Sequence, residues 1–173
     1  MKTEILEPVE TTHVPGNDVI EPAPLSIHLQ NILVPLDFSE MSLKSLQYAV
    51  AFAKQFGARL TLLHIVQPPT YSPELPFPPQ LDTEDIAAID EQLQDIRATR
   101  IPPEVPVETA VRQRFVFDGI LEMAREISAD LIITTTHGHT GLKHLLLGST
   151  AENIVRRAPC PVLVVREREL DFV

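Results

Sequence analysis

The segment TTTHGHTGLKHLLLGSTAEN, residues 134–153, concentrates residue types that suit binding of a small anion, directly after the apolar run Leu131-Ile132-Ile133. Gly138 and Gly141 lack a Cβ, so an anion can approach their backbone N–H groups. Gly148-Ser149-Thr150 precedes a predicted helix, whose unpaired N–H groups and positive dipole end attract phosphate. The hydroxyl groups add further donors. Together these features indicate an anion site.

Apolar runs that alternate with helical stripes must position this segment. The predicted strands are residues 32–34, 60–66, 105–111, 131–135 and 162–165. Stripes of apolar residues at helical spacing separate them, Gly57 suits the end of the first helix, and Ser149 and Glu152 have the spacing of a capping box. Strictly alternating strands and helices predict a single α/β domain, a doubly wound five-stranded parallel sheet with helices on both faces.

The texture of the chain divides it into three parts. Residues 1–28 contain several prolines and no sustained periodicity, which predicts a flexible N-terminal arm. Residues 29–168 form the predicted α/β domain, from which a proline-rich insertion near residues 71–80 departs. Residues 169–173 are read as a C-terminal tail.

Composition excludes several classes of function. The chain has 14 Lys+Arg against 24 Asp+Glu, and this net charge of −10 opposes binding to nucleic acid or to an anionic membrane. No apolar run is long enough to span a membrane. Cys160 is the only cysteine, so an intrachain disulfide is excluded, and its flanking prolines and apolar strand suggest a buried, inert thiol. A cytoplasmic protein is expected.

The predicted architecture indicates where the ligand should lie. In an open doubly wound sheet, ligands bind beyond the carboxyl ends of strands, where the strand order reverses. Asp37, after the first strand, could accept a hydrogen bond from a sugar hydroxyl. The alternatives stay open: the glycines could be turn residues only, Ser149 only a cap, and Asp37 a cap of the following helix.

Catalysis and metal binding find less support in the sequence. The spacing of His137, His139 and His144 matches no zinc motif, and His137 could simply orient the loop by hydrogen bonding. No G-x-S-x-G elbow is present, and no base is identifiable beside Ser149. We predict neither a metal site nor a catalytic residue.

Three stretches carry a family resemblance: ILVPLDFSE, LTLLHIV and ADLIITTTHGHTGLKHLLLGSTAENIVRRAPCPVLVV. With them, residues 32–166 resemble the universal stress proteins. The resemblance implies a Rossmann-like fold and the pattern G-x-x-G, nine residues, then G-[ST], which cradles the phosphates of ATP. Gly138 matches the second glycine and Gly148-Ser149 closes the pattern. Thr135 replaces the first glycine.

The resemblance also implies the members of the site. The first-strand residues lie near adenosine, the second strand supplies an apolar residue beside adenine, and the fourth strand and its loop line the ribose and phosphates. The expected ligand is ATP, with or without Mg²⁺, and the expected cofactor-binding residues are Pro35, Asp37, Ile65, Thr134, Thr135, Thr136, His137, Gly138, His139, Thr140, Gly141, Gly148, Ser149 and Thr150.

Three functions remain open at this point. The leading one is an ATP-binding cytosolic regulator of the stress response with at most slow ATP hydrolysis. The second is a nucleotide-free protein-interaction module of the same fold, because Thr135 replaces the first glycine. The third is an enzyme acting on another phosphate-bearing metabolite, since a fold does not fix its ligand.

The resemblance further implies a homodimer through the last strand, Val162–Val165, beside an unknown protein partner. An apolar edge strand left uncovered would invite pairing with another chain. The alternative is a monomer in which Arg166-Glu167-Arg168-Glu169 covers that edge.

Overall fold

The computed structural model describes residues 27–68, 83–136 and 148–166, in which strands and helices alternate. Residues 1–26 of the arm, residues 69–82 with the proline-rich insertion, the loop residues 137–147 and the tail after residue 166 lie outside the described residues. The elements in chain order are β1 (Asn31–Pro35), α1 (Glu40–Phe56), β2 (Arg59–Val66), α2 (Thr83–Arg100), β3 (Val107–Gln113), α3 (Val116–Glu126), β4 (Leu131–Thr135), α4 (Ser149–Arg157) and β5 (Val162–Val165).

The strands form one parallel sheet in the order β3-β2-β1-β4-β5. Starting from β1, the chain first builds outward through β2 and β3, and then returns to place β4 and β5 on the other side. The strand order therefore reverses between β1 and β4, which is where a doubly wound sheet leaves a crevice beyond its carboxyl ends. The prediction of a five-stranded, doubly wound α/β domain is confirmed.

Both faces of the sheet are covered by helices. Leu46 of α1 and Leu93 of α2 belong to one apolar cluster with Ile32 and Val34 of β1. On the opposite face, helices α3 and α4 pack over a second cluster that includes Leu33 of β1. Successive strand residues point to opposite faces, so β1 must be apolar at every central position, and its three central residues are fully buried.

Helix α1 begins and ends at residues suited to those positions. Ser39 is the N-cap, and its side chain accepts a hydrogen bond from the N–H of Ser42 at 3.2 Å. Gly57 is the C-cap with φ 67°, in the left-handed region where glycine avoids the clash of a Cβ. The predicted role of Gly57 is confirmed, and Ser39 fixes the point where the chain leaves the crevice edge.

A carboxylate ties the sheet together at its amino edge. Asp130, just before β4, accepts hydrogen bonds from the backbone N–H groups of Gln30 at 2.8 Å and Asn31 at 2.9 Å. These contacts join the start of β1 to the start of β4, the two strands that flank the crevice at their other ends.

Two predicted details are wrong. Strand β3 begins two residues later than expected, because Val105 donates its N–H to the carbonyl of Pro102 at 3.0 Å and is buried in a turn. The capping box does not form, because Gly148 is the N-cap and Ser149 is already helical. The carboxylate of Glu152 instead pairs with Arg156 at 2.9 Å.

Among the described residues, no helix is long and apolar enough to cross a membrane.

Candidate functional site

The crevice between β1 and β4 is bordered by the turn into α1 on one side and by the start of α4 on the other. Pro35 ends β1, and Asp37 follows within the turn. Thr134 and Thr135 end β4, whose other neighbour is β5. Of the predicted site, the described residues therefore lie at one edge of the sheet.

The turn after β1 holds its carboxylate firmly. Oδ1 of Asp37 accepts hydrogen bonds from the N–H of Ser39 at 3.1 Å and from its hydroxyl at 2.6 Å. Because Ser39 provides the cap of α1, the alternative that Asp37 caps this helix is wrong. The carboxylate is instead oriented by Ser39 at the mouth of the crevice.

The end of β4 presents threonines to both faces of the sheet. Alternation along the strand places Thr134 on the α3/α4 face with Ile132, and Thr135 on the α1/α2 face with Ile133. Thr134 is buried and Thr135 half-buried. The residue that departs from the glycine pattern thus faces the side of the sheet opposite to Thr134.

Thr136 fixes the start of α4 next to β4. Its N–H donates to the carbonyl of Val165 at 3.1 Å, and its carbonyl accepts from the N–H of Gly148 at 3.0 Å. A Cβ on Gly148 would come within 2.7 Å of that same carbonyl oxygen. Gly148 is therefore required for space, since its φ of −67° is available to any residue.

Within the described ranges, no side chain caps the start of α4. Its N-cap, Gly148, makes no side-chain hydrogen bond, and Ser149 and Thr150 are exposed. The first N–H groups of an α-helix have no partner within the helix, and together with the dipole they favour an anion. The arrangement can therefore bind a phosphate group through backbone N–H groups and two hydroxyls.

Ile65 supplies an apolar surface next to these polar groups. It packs with the α3/α4 cluster, and a Cβ on Gly119 would lie only 2.6 Å from its Cδ1. The absence of a side chain at Gly119 lets Ile65 settle against the first turns of α3. The carboxyl end of β2 thus offers an apolar side chain suited to contact a planar base.

The sequence analysis missed His64 and Phe38. Nδ1 of His64 lies 2.8 Å from the carbonyl oxygen of Leu36, and its ring stacks on Phe38 with centroids 4.4 Å apart and planes at 12°. Phe38 has φ 65°, an uncommon value for a bulky residue. A histidine inside the apolar run LTLLHIV was the signal that could have found this contact.

Burial determines the charge state of two groups near the sheet. It lowers the pKa of His64 below its ordinary value, although the hydrogen bond with Leu36 and the charge of Asp37 act in the opposite direction. Burial also raises the pKa of the Cys160 thiol, as does the charge of Asp130. His64 is therefore neutral near pH 7, and Cys160, which is half-buried, is a thiol.

The remaining predicted site residues fall in the loop after β4. His137, Gly138, His139, Thr140 and Gly141 lie outside the described residues, as does His144. In the part of the chain that is described, no group of three or more His, Cys, Asp or Glu side chains comes together as a metal site would require.

Comparisons with known proteins identify the class. The model of the universal stress protein family matches residues 28–166. A universal stress protein of Methanocaldococcus jannaschii is 32% identical over 143 residues, which cover 80% of this chain and 82% of that protein. The chain belongs to the universal stress protein family, as the resemblance in its sequence implied.

Solved structures agree on the fold. A universal stress protein of Lactobacillus plantarum superposes with a TM-score of 0.68 at 28% identity, covering 82% of this chain and all of its own. Another universal stress protein, solved in complex with cAMP, gives a TM-score of 0.59 at 25% identity and covers 81% of this chain and 98% of its own. Nucleotide binding thus occurs among the relatives.

Proposed function

We propose that this protein binds an adenine nucleotide, ATP in particular, in the crevice between β1 and β4. The start of α4 carries the proposal, because its N-cap Gly148 has no capping side chain, Ser149 and Thr150 are exposed next to it, and the first N–H groups of a helix attract phosphate. The relative in complex with cAMP supports the ligand class.

Each part of the nucleotide has a matching group. Ile65 and Pro35 offer apolar contact to adenine, and the carboxylate of Asp37 accepts a hydrogen bond from a ribose hydroxyl. The first turn of α4 takes the phosphates. These described residues fit a nucleotide; for Mg²⁺ they offer one carboxylate at the crevice, that of Asp37, so the phosphates themselves would supply most of the metal's contacts.

We propose a regulatory role for the bound nucleotide. Among the described residues no side chain stands at Ser149 or Thr150 as an arranged general base, so any hydrolysis of ATP is expected to be slow. Nucleotide occupancy then serves as a signal, which biases a surface recognised by a protein partner in a cytosolic stress response. A turnover rate like that of a metabolic ATPase would contradict this role.

A homodimer through β5 completes the proposal. This strand lies at one edge of the sheet, and Val162, Leu163 and Val164 are only half-buried. Pairing with a second copy would cover an apolar edge that otherwise risks uncontrolled association. We expect a dimer mass in sedimentation at micromolar concentration, and the mass of one subunit would contradict the interface.

Calorimetric titration of three proteins tests nucleotide binding. Ser149→Ala removes the hydroxyl alone, whereas Ser149→Pro also removes one N–H from the first position of α4. Proline suits that position, and Gly148 before it has the extended geometry that proline requires (φ −67°, ψ 152°). Both variants should therefore keep the fold.

We expect the wild type to bind ATP, Ser149→Ala to bind a few-fold more weakly, and Ser149→Pro to bind at least tenfold more weakly than Ser149→Ala. Nucleotide released on denaturing gently purified protein provides an independent check by chromatography. If the wild type neither releases nor binds a nucleotide, the proposal fails.

A nucleotide-free interaction module is the second candidate, and Thr135 favours it. This β-branched residue stands at the end of β4, where the family pattern has glycine. If its side chain closes the pocket, Thr135→Gly should create or strengthen ATP binding in titrations, whereas Thr135→Val should not. Equal affinities in the wild type and Thr135→Gly would exclude closure by Thr135.

A further inference from the structure

We propose that His64 is a positioning residue, which holds the turn between β1 and α1 so that Asp37 can read the ribose. This inference rests on the proposed nucleotide site. The imidazole contacts the residue on each side of Asp37, Leu36 and Phe38. The preference of the protein for a ribonucleotide over its deoxy counterpart then depends on a side chain that does not touch the nucleotide.

The first contact of His64 is a hydrogen bond with Leu36. The N–H of Leu36 donates to the carbonyl of Leu63 at 2.8 Å, and its own carbonyl lies 2.8 Å from Nδ1 of His64. A carbonyl oxygen can only accept, so Nδ1 carries the hydrogen and the neutral ring is in its Nδ1–H form. Both backbone groups of Leu36 are thus held by β2.

The second contact of His64 is the ring stack on Phe38. The backbone of Phe38 adopts φ 65°, a conformation that a bulky residue keeps only when its surroundings impose it. The imidazole lies against the phenyl ring at 4.4 Å between centroids. This contact helps to impose the conformation of Phe38, and it therefore fixes the direction in which the chain leaves Asp37.

The two contacts of His64 fix the backbone on either side of Asp37, while Ser39 fixes the side chain of Asp37. The two hydrogen bonds from Ser39 to Oδ1 set the plane of the carboxylate. A hydrogen bond between a carboxylate and a hydroxyl is short, about 2.5–2.7 Å, and directional. A shift of the turn by a fraction of this distance would weaken recognition of the ribose hydroxyl and leave adenine and phosphate contacts intact.

The experiment compares ATP with 2′-deoxy-ATP and 3′-deoxy-ATP on the full chain by calorimetric titration. His64→Leu removes both the hydrogen bond with Leu36 and the ring stack on Phe38, and His64→Asn keeps a donor at the position of Nδ1. His28→Leu is the matched control, because it is the same substitution at an exposed histidine before the opposite end of β1. Phe38→Gly removes the ring stack on His64, and glycine tolerates the positive φ at this position.

We expect the wild type to bind ATP about 10- to 100-fold more tightly than the deoxy analogue that lacks the recognised hydroxyl, as for a hydrogen bond to a charged group. In His64→Leu and Phe38→Gly the affinity for ATP should fall to that of this analogue, whose own affinity changes less than about threefold. His64→Asn should restore part of the preference, and His28→Leu should retain all of it.

Each result decides between the two proposals. Equal weakening of all nucleotides in His64→Leu, or an unchanged preference, overturns the role of His64 while nucleotide binding stands. Absence of any nucleotide binding in the wild type overturns the proposed function, and this inference with it. If thermal melting shows that His64→Leu does not fold, His64→Asn and Phe38→Gly decide the question by the same ratio.

Discussion

Helices α1 and α4 begin at the same edge of the sheet, after the neighbouring strands β1 and β4, yet they begin in opposite ways. Ser39 caps α1 with its own side chain, and the adjoining turn is closed by side chains that bond to one another. The N-cap of α4, Gly148, has no side chain that could do the same. In α1 a side chain bonds to one of the first N–H groups, whereas in the proposed site the first N–H groups of α4 bind the phosphates.

The contrast shows how one architecture separates support from recognition. Beside β1, Ser39 bonds to the carboxylate of Asp37 and His64 bonds to Leu36 in the same turn, which favours a fixed position for the carboxylate. Beside β4, glycine at position 148 lets the start of α4 come close to the backbone of Thr136. The proposed nucleotide would place its sugar beside the carboxylate of Asp37 and its phosphates at the start of α4.

The largest effect should come from giving α4 the cap that α1 has. In Gly148→Ser the new Cβ would lie 2.7 Å from the carbonyl oxygen of Thr136, so the backbone must shift. We expect ATP affinity to fall at least 100-fold and the free energy of unfolding to drop by about 1–3 kcal/mol, the usual cost of overpacking.

Titration and chemical denaturation of Gly148→Ser measure both quantities, and Gly148→Ala separates crowding from capping. Retained ATP binding in Gly148→Ser would mean that α4 tolerates a cap, and the contrast with α1 would lose its functional meaning.

Removing the cap of α1 should have the next largest effect. Ser39→Ala abolishes the bond to the N–H of Ser42 and the contact with Asp37, and an N-cap of this kind contributes about 1 kcal/mol to stability. Urea denaturation should show this loss, and Ser39→Thr should recover most of it. An unchanged midpoint in Ser39→Ala would show that the turn does not depend on its side chains.

Acid should weaken the β1 side of the crevice through His64. Its pKa in the folded protein lies below the ordinary value of 6.5, because burial disfavours the charged ring. The unfolded chain therefore binds the proton more readily, and stability from this group is complete above pH 6.5 and declines as the pH falls below it.

Urea denaturation across this range should give a smaller stability difference between wild type and His64→Asn at lower pH. A difference that is constant below pH 6.5 would contradict an effect of this ring. The start of α4 contains no histidine among its described residues, so this dependence should be confined to the β1 side.

The smallest effect should come from Arg156 in α4. Its bond to Glu152 is a surface pair one helical turn apart, with both side chains at least half exposed (71% and 50%). Such pairs contribute about 0.3–0.5 kcal/mol. Arg156→Ala should therefore lower stability by no more than this in low salt and leave ATP affinity unchanged, and a large loss of affinity would show that α4 depends on more than its N-terminus.

Periodicity predicted the framework of the protein well. Runs such as Ile32-Leu33-Val34 are apolar on both faces because helices cover both faces, and that pattern is visible in sequence alone. The start of β3 was misplaced because Val105 is apolar for another reason, burial in a turn. Periodicity registers burial, and it does not distinguish a turn from a strand at a boundary.

The site was predicted less completely because its geometry depends on contacts distant in sequence. Position alone suggested that Asp37 faces the crevice, but nothing local indicated that His64, 28 residues away from Leu36, holds the turn. Ser149 was misread as a cap because capping-box spacing does not report where helical geometry begins. The family pattern singled out Gly148, but the reason for the glycine, a clash with the backbone oxygen of Thr136, is visible only in the structure.

The bonds from Asp130 to the start of β1 also bear on the order in which the protein assembles. They join residues 99 and 100 positions apart, whereas β1 and β2 are joined by a single short crossover. Closing a longer loop loses more chain entropy, so we expect β1 and β2 to associate first and β4 to dock afterwards. On this hypothesis, Asp130→Asn should accelerate unfolding in stopped-flow kinetics while refolding keeps its rate, and slowed refolding would place the docking of β4 early. The contacts between Asp130 and the start of β1, at the edge opposite the crevice, would then form last during folding and break first during unfolding.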